Sequence, residues 1–406
     1  MLKIKKLSQS DIVEYMAILW IIISSGFFVL NYVYNLPCML VLLLIAVYYA
    51  WKNKNISKRN GYRLLSLLAF VFIDECISLI IYEYPLDIHK LIILIIRLFS
   101  LAIIMDNISV KAYIRKYTSI LFWICVVSLI CFAAISFTSI SLPLAKDYQD
   151  GFYGTFYFRI NEYTRTIATR NSGPYGEPGI FAVYIVLALG FQLFSTPADE
   201  IVKGWNGIKI IVLSVTLLTT LSGTGLICYL ILFATYVLLN HEQVNILKNP
   251  IMFLIVLAMI VGLYYAETTY GILEEKVISQ GGSYGVRMND TLKGYQIAIQ
   301  HFLTGTGIAN DYSSAWTGAL LANSRSNGMA NFSASVGIPF LIFYLFCVFK
   351  RSLEYMNKNL AAATVFFLVV LVSFNTQPIV LQTIGLSFLF IWKKEHSCNS
   401  LKAPIE

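Results

Sequence analysis

The chain has 406 residues, 58% of them hydrophobic and only 13% charged, with a mean hydropathy of +0.70 and a net charge of +8. Soluble domains carry about a quarter of their residues charged, so this composition excludes a soluble fold and points to a chain embedded in lipid. The positive balance does not indicate nucleic acid, because most of it lies in short gaps between apolar runs, where topology and anionic inner-leaflet lipid account for it.

Apolar runs near residues 12–34, 37–51, 64–83, 88–106, 118–143, 179–196, 207–222, 224–240, 250–266, 334–349, 360–375 and 377–392 predict about twelve transmembrane helices. The first run follows Lys3, Lys5 and Lys6, but it is longer than a signal-peptide core and no small-residue cleavage site follows. With the N-terminus in the cytoplasm, the even-numbered gaps hold Lys52, Lys54, Lys58, Arg59 and Arg63, then Lys111, Arg115 and Lys116. Lys203 and Lys209, Lys248, and Lys350, Arg351 and Lys358 continue the pattern, and the tail adds Lys393, Lys394 and Lys402. That bias places both termini in the cytoplasm. The seven cysteines lie in predicted spans or the tail, so neither a disulfide nor a zinc site is expected. Residues 1–406 read as a single polytopic membrane domain.

Asp74 and Glu75 fall near the middle of the third run and Arg97 near the middle of the fourth. Reflecting the hairpin about residues 85 and 86 puts 74 and 97 at one depth. Charges there are costly and usually pair, which favours a structural ion pair over a proton relay.

Most connections are short, but two long ones fall on the predicted external face: 144–178 and 267–333. The first holds Arg159, Arg165 and Arg170 among many aromatics, Tyr175 included. External arginines run against the positive-inside bias. Guanidinium groups bind phosphate oxygens and tyrosine faces stack on sugars, whereas the alternative is an interfacial belt paired with lipid headgroups. The second loop contains GGSYGVRMNDTLKGYQIAIQHFLTGTGIAND. Asn289 or Asp290 there predicts the cap of a surface helix near 290–302, with Leu292, Ile299 and Phe302 along one face and Arg287 just before its start. Gly305-Thr306-Gly307 reads either as an anion cradle or, in preference, as a plain C-terminal turn.

Four stretches then align with a known pattern: NSGPYGEPGIFAVYIV at 171–186, TTLSGTGLICYL at 219–230, RMNDTLKGYQIAIQHFLTGTG at 287–307 and SNGMANFSASVG at 326–337. In order and spacing they resemble segments of the Wzy-type polymerases of bacterial polysaccharide repeat units, in the superfamily that includes the O-antigen ligases. The resemblance covers the C-terminal two-thirds. Where the ligases have a functional His this chain has Ser326, and where they have an Arg in the turn between spans seven and eight it has Gly223. Only Arg287 survives of the three, which argues against ligation. Arg165 and Gly176 fit the Arg-x10-Gly pattern described for the polymerases; Arg287 and Arg325 do not.

The resemblance implies an all-α, GT-C-like membrane enzyme of the bacterial cytoplasmic membrane. It would transfer a growing glycan from undecaprenyl diphosphate onto a lipid-linked repeat unit on the external face. Its partners would be that lipid-linked oligosaccharide, membrane lipid and a candidate chain-length regulator, with no nucleic acid. The alternatives are a ligase-like glycan transferase and a lipid-linked oligosaccharide flippase. A diphosphate is already an acidic leaving group, so the protein mainly has to stabilise its growing charge, as arginines at a water-poor boundary do. Without a Walker, Rossmann or Asp-x-Asp motif, no cofactor and no metal are expected. Glu177, Arg287 and Arg170 are the catalytic candidates. Arg325, Arg165, Arg159, Tyr175, Asn327 and Tyr295 are the substrate-binding candidates. Glu177 is the candidate base, with burial expected to raise its pKa, and its alternative role is as a helix cap ahead of Pro178. Asp290 and Asp311 are weaker candidates, and His301 reads as a packing residue.

Overall fold

A computed structural model describes residues 8–28, 30, 35–53, 57–137, 170–241, 283–309 and 327–393. It also describes scattered positions between 253 and 268, and three two-residue strands. In chain order the helices are α1 (Gln9–Ile23), α2 (Asn35–Asn53), α3 (Lys58–Ile81), α4 (Ile88–Asn107), α5 (Val110–Phe137), α6 (Pro178–Ser195), α7 (Gly204–Thr219) and α8 (Gly223–Leu239). They continue as α9 (Ser283–Gln300), α10 (Gly328–Tyr355), α11 (Leu360–Thr376) and α12 (Thr383–Ser387). Between α5 and α6, β1 (Ala145–Lys146), β2 (Tyr153–Gly154) and β3 (Arg159–Ile160) pair antiparallel in sequence order, with Ala145 opposite Gly154 and Gly154 opposite Arg159.

Six of these helices are long and apolar enough to cross a membrane, and three shorter apolar ones accompany them. Large apolar side chains face outward around the bundle, among them Leu44, Leu65, Phe72, Ile130 and Ile342, as lipid contact requires. Short polar caps start the helices: Ser57, Asp87, Ser222, Asn327 and Asn359 each accept a backbone N–H three residues on. The centre is α6, whose residues from Phe181 to Leu193 are buried without interruption. Apolar on every side, it suits a position surrounded by α5, α7, α8 and α11. Gly190 and Gly225 allow the close approaches there, since a Cβ on either would press into Phe366 or Ala182.

Two predicted spans differ, the first and the twelfth. The first stops at Ile23: Ser24 to Gly26 form a turn with Gly26 at φ +141°, and Phe27 pairs with Tyr175. The ninth lies mostly outside the described residues. The twelfth is not a helix of membrane length, because within 377–392 only the five residues of α12 are helical. This segment runs from Gln377, against Gly179 and Gly328, to Lys393, whose N–H donates to Met105 O at 2.9 Å. It therefore crosses the bundle as irregular chain. That is tolerated at membrane depth only inside protein, with its backbone groups satisfied. Other helices supply the partners. Arg97 donates to Leu381 O (3.0 Å), Tyr344 to Gly385 O (3.0 Å) and Arg63 to Leu389 O (2.7 Å), while Asn60 bonds both the C=O and the N–H of Ile391.

Alternate helix ends meet on one face, which carries residues 170–178, the Leu221 turn and the 301–309 turn. On the opposite face Lys116 is buried between Asp11 (2.8 Å) and Glu14 (2.7 Å), and Ser57 bonds Asp106.

Candidate functional site

The Glu-Pro stretch is held from both sides. Asn171 donates from its backbone to Thr219 O (3.0 Å) and from Nδ2 to Thr219 Oγ1 (2.9 Å), while its Oδ1 accepts from Ser128 Oγ (2.6 Å) and Gly173 N (2.9 Å). Gly173 has φ +52° and sits on the ring of Phe181, leaving no room for a side chain. Pro174 O accepts from Phe28 N (2.9 Å). Pro178 takes the first helical position of α6 and brings Gly176 and Glu177 to the rim of a cleft.

The cleft has a volume of about 420 Å³. Ser25 and Gly26 come from the break after α1, Asn35 from the start of α2, and His89 and Arg97 from α4. Gly176, Glu177 and Ile180 come from the start of α6, and Pro378, Ile379 and Gln382 from the irregular crossing. Arg97 lies ~13 Å below the start of α4 at 1.5 Å per residue. It is only 8% exposed, and it donates to Leu381 O (3.0 Å) and Gln382 Oε1 (3.1 Å). Among the described residues its Nε has no hydrogen-bond partner and no carboxylate lies within ion-pair distance. Desolvating a cation costs several kcal/mol unless an anion repays it. Two of five N–H donors are engaged, so the guanidinium retains capacity for a further oxyanion.

The expected hairpin ion pair does not form. Reflection about the turn matched depth but not azimuth: Asp74 and Glu75 face the 301–309 turn, whereas Arg97 faces 381–382. Glu75 Oε1 accepts from Ala309 N (2.7 Å), Ser78 donates to Thr306 O, and neither Asp74 oxygen has a hydrogen-bond partner among the described residues.

Glu177 lines the cleft but is exposed, and its carboxylate makes no cap bond. The burial expected of a base is absent, and Glu177 takes the N-cap position ahead of Pro178, as the capping alternative has it, without a side-chain cap bond. Arg170 donates from Nε to Thr220 O (3.0 Å) and from Nη2 to Leu221 O (3.0 Å). It thereby clamps the turn preceding Gly223, so a guanidinium reaches this turn from position 170. Tyr175 is fully buried, stacked on Tyr184 (4.5 Å) and Phe181 (5.4 Å) with Phe27 against its edge, so it offers no ring face to a sugar. An aromatic three residues before an apolar helix is as able to enter the core as a binding site.

The helix of the second long loop starts at Ser283, earlier than expected, so Arg287, Asn289 and Asp290 lie within it rather than before it or at its cap. Asn327 caps α10 by accepting from Ala330 N (3.0 Å) and donates to Thr291 on α9. Tyr295 is partly buried beside the core. Leu292, Ile299 and Phe302 are exposed along one face of this segment, as expected of a surface helix. The Gly-Thr-Gly amides are engaged by backbone carbonyls, as expected of a plain turn. Thr306 N and Gly307 N donate to Ala334 O (2.9 Å) and Ser335 O (3.1 Å), capping the first half of α10 where it breaks at Gly337 (φ +74°). His301 packs edge-on to Tyr82 at 4.3 Å, and burial lowers its pKa from the ordinary value. The side chains of Arg159 and Arg287, and all of Arg165, Asp311 and Arg325, lie outside the described residues.

Arg97 as a cleft residue was missed because depth alone suggested a partner. The only sequence signal was a charge at mid-span; its partner Gln382 lies 285 residues away. No protein-family model and no curated protein matches this chain.

Proposed function

We propose that the chain is a polysaccharide repeat-unit polymerase working on the face that carries the two long loops. That face is external, with both termini cytoplasmic, in a bacterial cytoplasmic membrane. The carrying observation is that Glu177, from the Glu-Pro stretch, and Arg97, a buried cation with no carboxylate partner among the described residues, line one open cleft. The donor diphosphate docks toward Arg97 and the loop arginines Arg287, Arg325, Arg165 and Arg159. The acceptor hydroxyl of the lipid-linked repeat attacks the anomeric carbon. A bond from that carbon to the acceptor oxygen forms, the bond to the phosphate oxygen breaks, and the hydroxyl proton passes to Glu177. General-base assistance of this kind contributes about 10²–10⁴-fold, and the guanidinium groups stabilise charge on the departing diphosphate. Arg170 supports the site by holding the Leu221 turn.

One observation favours a second reading, a lipid-linked oligosaccharide flippase: the irregular crossing at 377–392 borders the cleft, and discontinuous segments around a charged site are how transporters build binding sites. Reconstitution with a purified lipid-linked repeat separates the two. A ladder of glycan lengths that disappears in Glu177→Gln, with donor binding retained, supports polymerisation. Movement of intact repeat across the bilayer without a ladder replaces it with the flippase. Orientation is tested by Glu83→Cys and Lys203→Cys, both at exposed positions on opposite faces. An impermeant thiol reagent should label the first alone once any outer membrane is opened. Labelling of the second alone inverts the assignment. Ser172 is a poor probe because it is buried.

A further inference from the structure

A second cavity, of about 350 Å³, opens at the other end of the bundle, among the start of α5, the end of α6 and the start of α7. Lys111, Arg115 and Lys209 line it against one acid, Glu200. Lys209 is only 7% exposed, and its ammonium donates to Ser119 Oγ at 3.2 Å. No carboxylate among the described residues lies within ion-pair distance of Lys209 or Arg115. Lys209, withdrawn from water in a cavity that Arg115 also lines, is a cation whose complement is negative charge, and no described carboxylate supplies it.

The surroundings indicate where that charge comes from. Trp205 lies one turn before Lys209 on α7 and is 52% exposed; Trp123 on α5 is 58% exposed. The two rings are 6.4 Å apart and share Phe122 as a neighbour, each at 5.1 Å. Ile208, Ile211 and Val215 continue an exposed apolar surface along α7. Exposed indoles beside a buried ammonium, above an apolar strip, match an amphiphile with an anionic head and hydrocarbon tails. We infer that this cavity binds the phosphate headgroup of an anionic glycerophospholipid, with the acyl chains along Trp123, Trp205 and the outer face of α7. The site is at the far end from the Glu177 cleft and does not rest on the transferase proposal.

The test uses tryptophan quenching of the full chain in phosphatidylcholine vesicles containing either dibrominated phosphatidylglycerol or dibrominated phosphatidylcholine at equal mole fraction. Trp123→Phe/Trp205→Phe identifies the share of the signal that comes from this pair. Brominated phosphatidylglycerol should quench that share more strongly. Arg115→Gln, at an exposed position and therefore expected to fold, should reduce the preference about five-fold. Lys209→Gln should abolish it, and Lys209→Arg should retain it. Excess inorganic phosphate should leave the preference intact. Equal quenching by the two brominated lipids, or an unchanged preference in Arg115→Gln, overturns the site. Loss of the preference on adding phosphate overturns the lipid assignment in favour of a soluble anion.

Discussion

Arg97→Met separates the two roles open to a charge at this depth. The substitution removes the donors to Leu381 O and Gln382 Oε1, and two acceptors left unpaired cost about 1–3 kcal/mol each. Against that, it removes a buried cation with no counterion among the described residues, which recovers several kcal/mol of desolvation. The net stability change should therefore stay within about 3 kcal/mol of zero. A salt bridge to Asp74 would behave differently, because breaking a buried pair costs about 3–5 kcal/mol and leaves a strong coupling. Reversible unfolding in mixed micelles of Arg97→Met, Asp74→Asn and the double variant measures that coupling, expected within about 0.5 kcal/mol of zero. Binding of a soluble prenyl diphosphate to the same proteins should weaken roughly 10- to 100-fold with Arg97→Met, the loss of one charged hydrogen-bonding group. A coupling of about 2 kcal/mol or more between 74 and 97, or an unchanged diphosphate affinity, would refute the assignment of Arg97 to the cleft.

Tyr175→Ala should destabilise by about 3–5 kcal/mol through the cavity it leaves, whereas Tyr175→Phe should melt like the parent because the buried hydroxyl has no partner among the described residues. Gly305→Ala and Gly337→Ala each place a Cβ against backbone at positive φ, and should lose about 2–5 kcal/mol together with proteolytic protection of 301–309. Normal melting of both variants would show that the turn does not cap α10. His301 has a folded pKa below its ordinary value of 6.5, so the unfolded chain takes up the proton more readily. Its contribution to stability is present above that value and is lost as pH falls below it, so the loss of stability on acidification should be smaller in His301→Phe.

Helices were legible wherever an apolar run was continuous and unopposed, as in α3, α4 and α11, because lipid leaves the backbone few other solutions. The same rule misread 377–392. Its composition matches a span, yet Pro378, Gln382, Thr383 and Gly385 interrupt it, and partners far away in sequence (Asn60, Arg63, Arg97 and Tyr344) satisfy its backbone instead. No local window contains those partners. Depth was legible for Arg97 and azimuth was not, since a one-residue rotation about a helix turns a side chain by about 100°. Tyr175 failed for another reason, whereas the Gly305 turn was read correctly as a turn. Composition marks an aromatic residue as available, and only packing decides whether its ring face is already engaged.

The broken crossing and the cleft have one physical origin. A continuous helix over 377–392 would keep its carbonyl groups for itself and present Arg97 with apolar side chains alone. Breaking it turns the Leu381 carbonyl and the Gln382 amide toward the guanidinium, fixing two donors and leaving Nε without a partner at the floor of an open cleft. The cost of irregular backbone at membrane depth is met by side chains from α3, α4 and α10, which tie the segment to the bundle along its length. A cation held in this way is oriented before any ligand arrives. An arriving anion need not reorganise the site, and fixed dipoles and charges gain most from that condition.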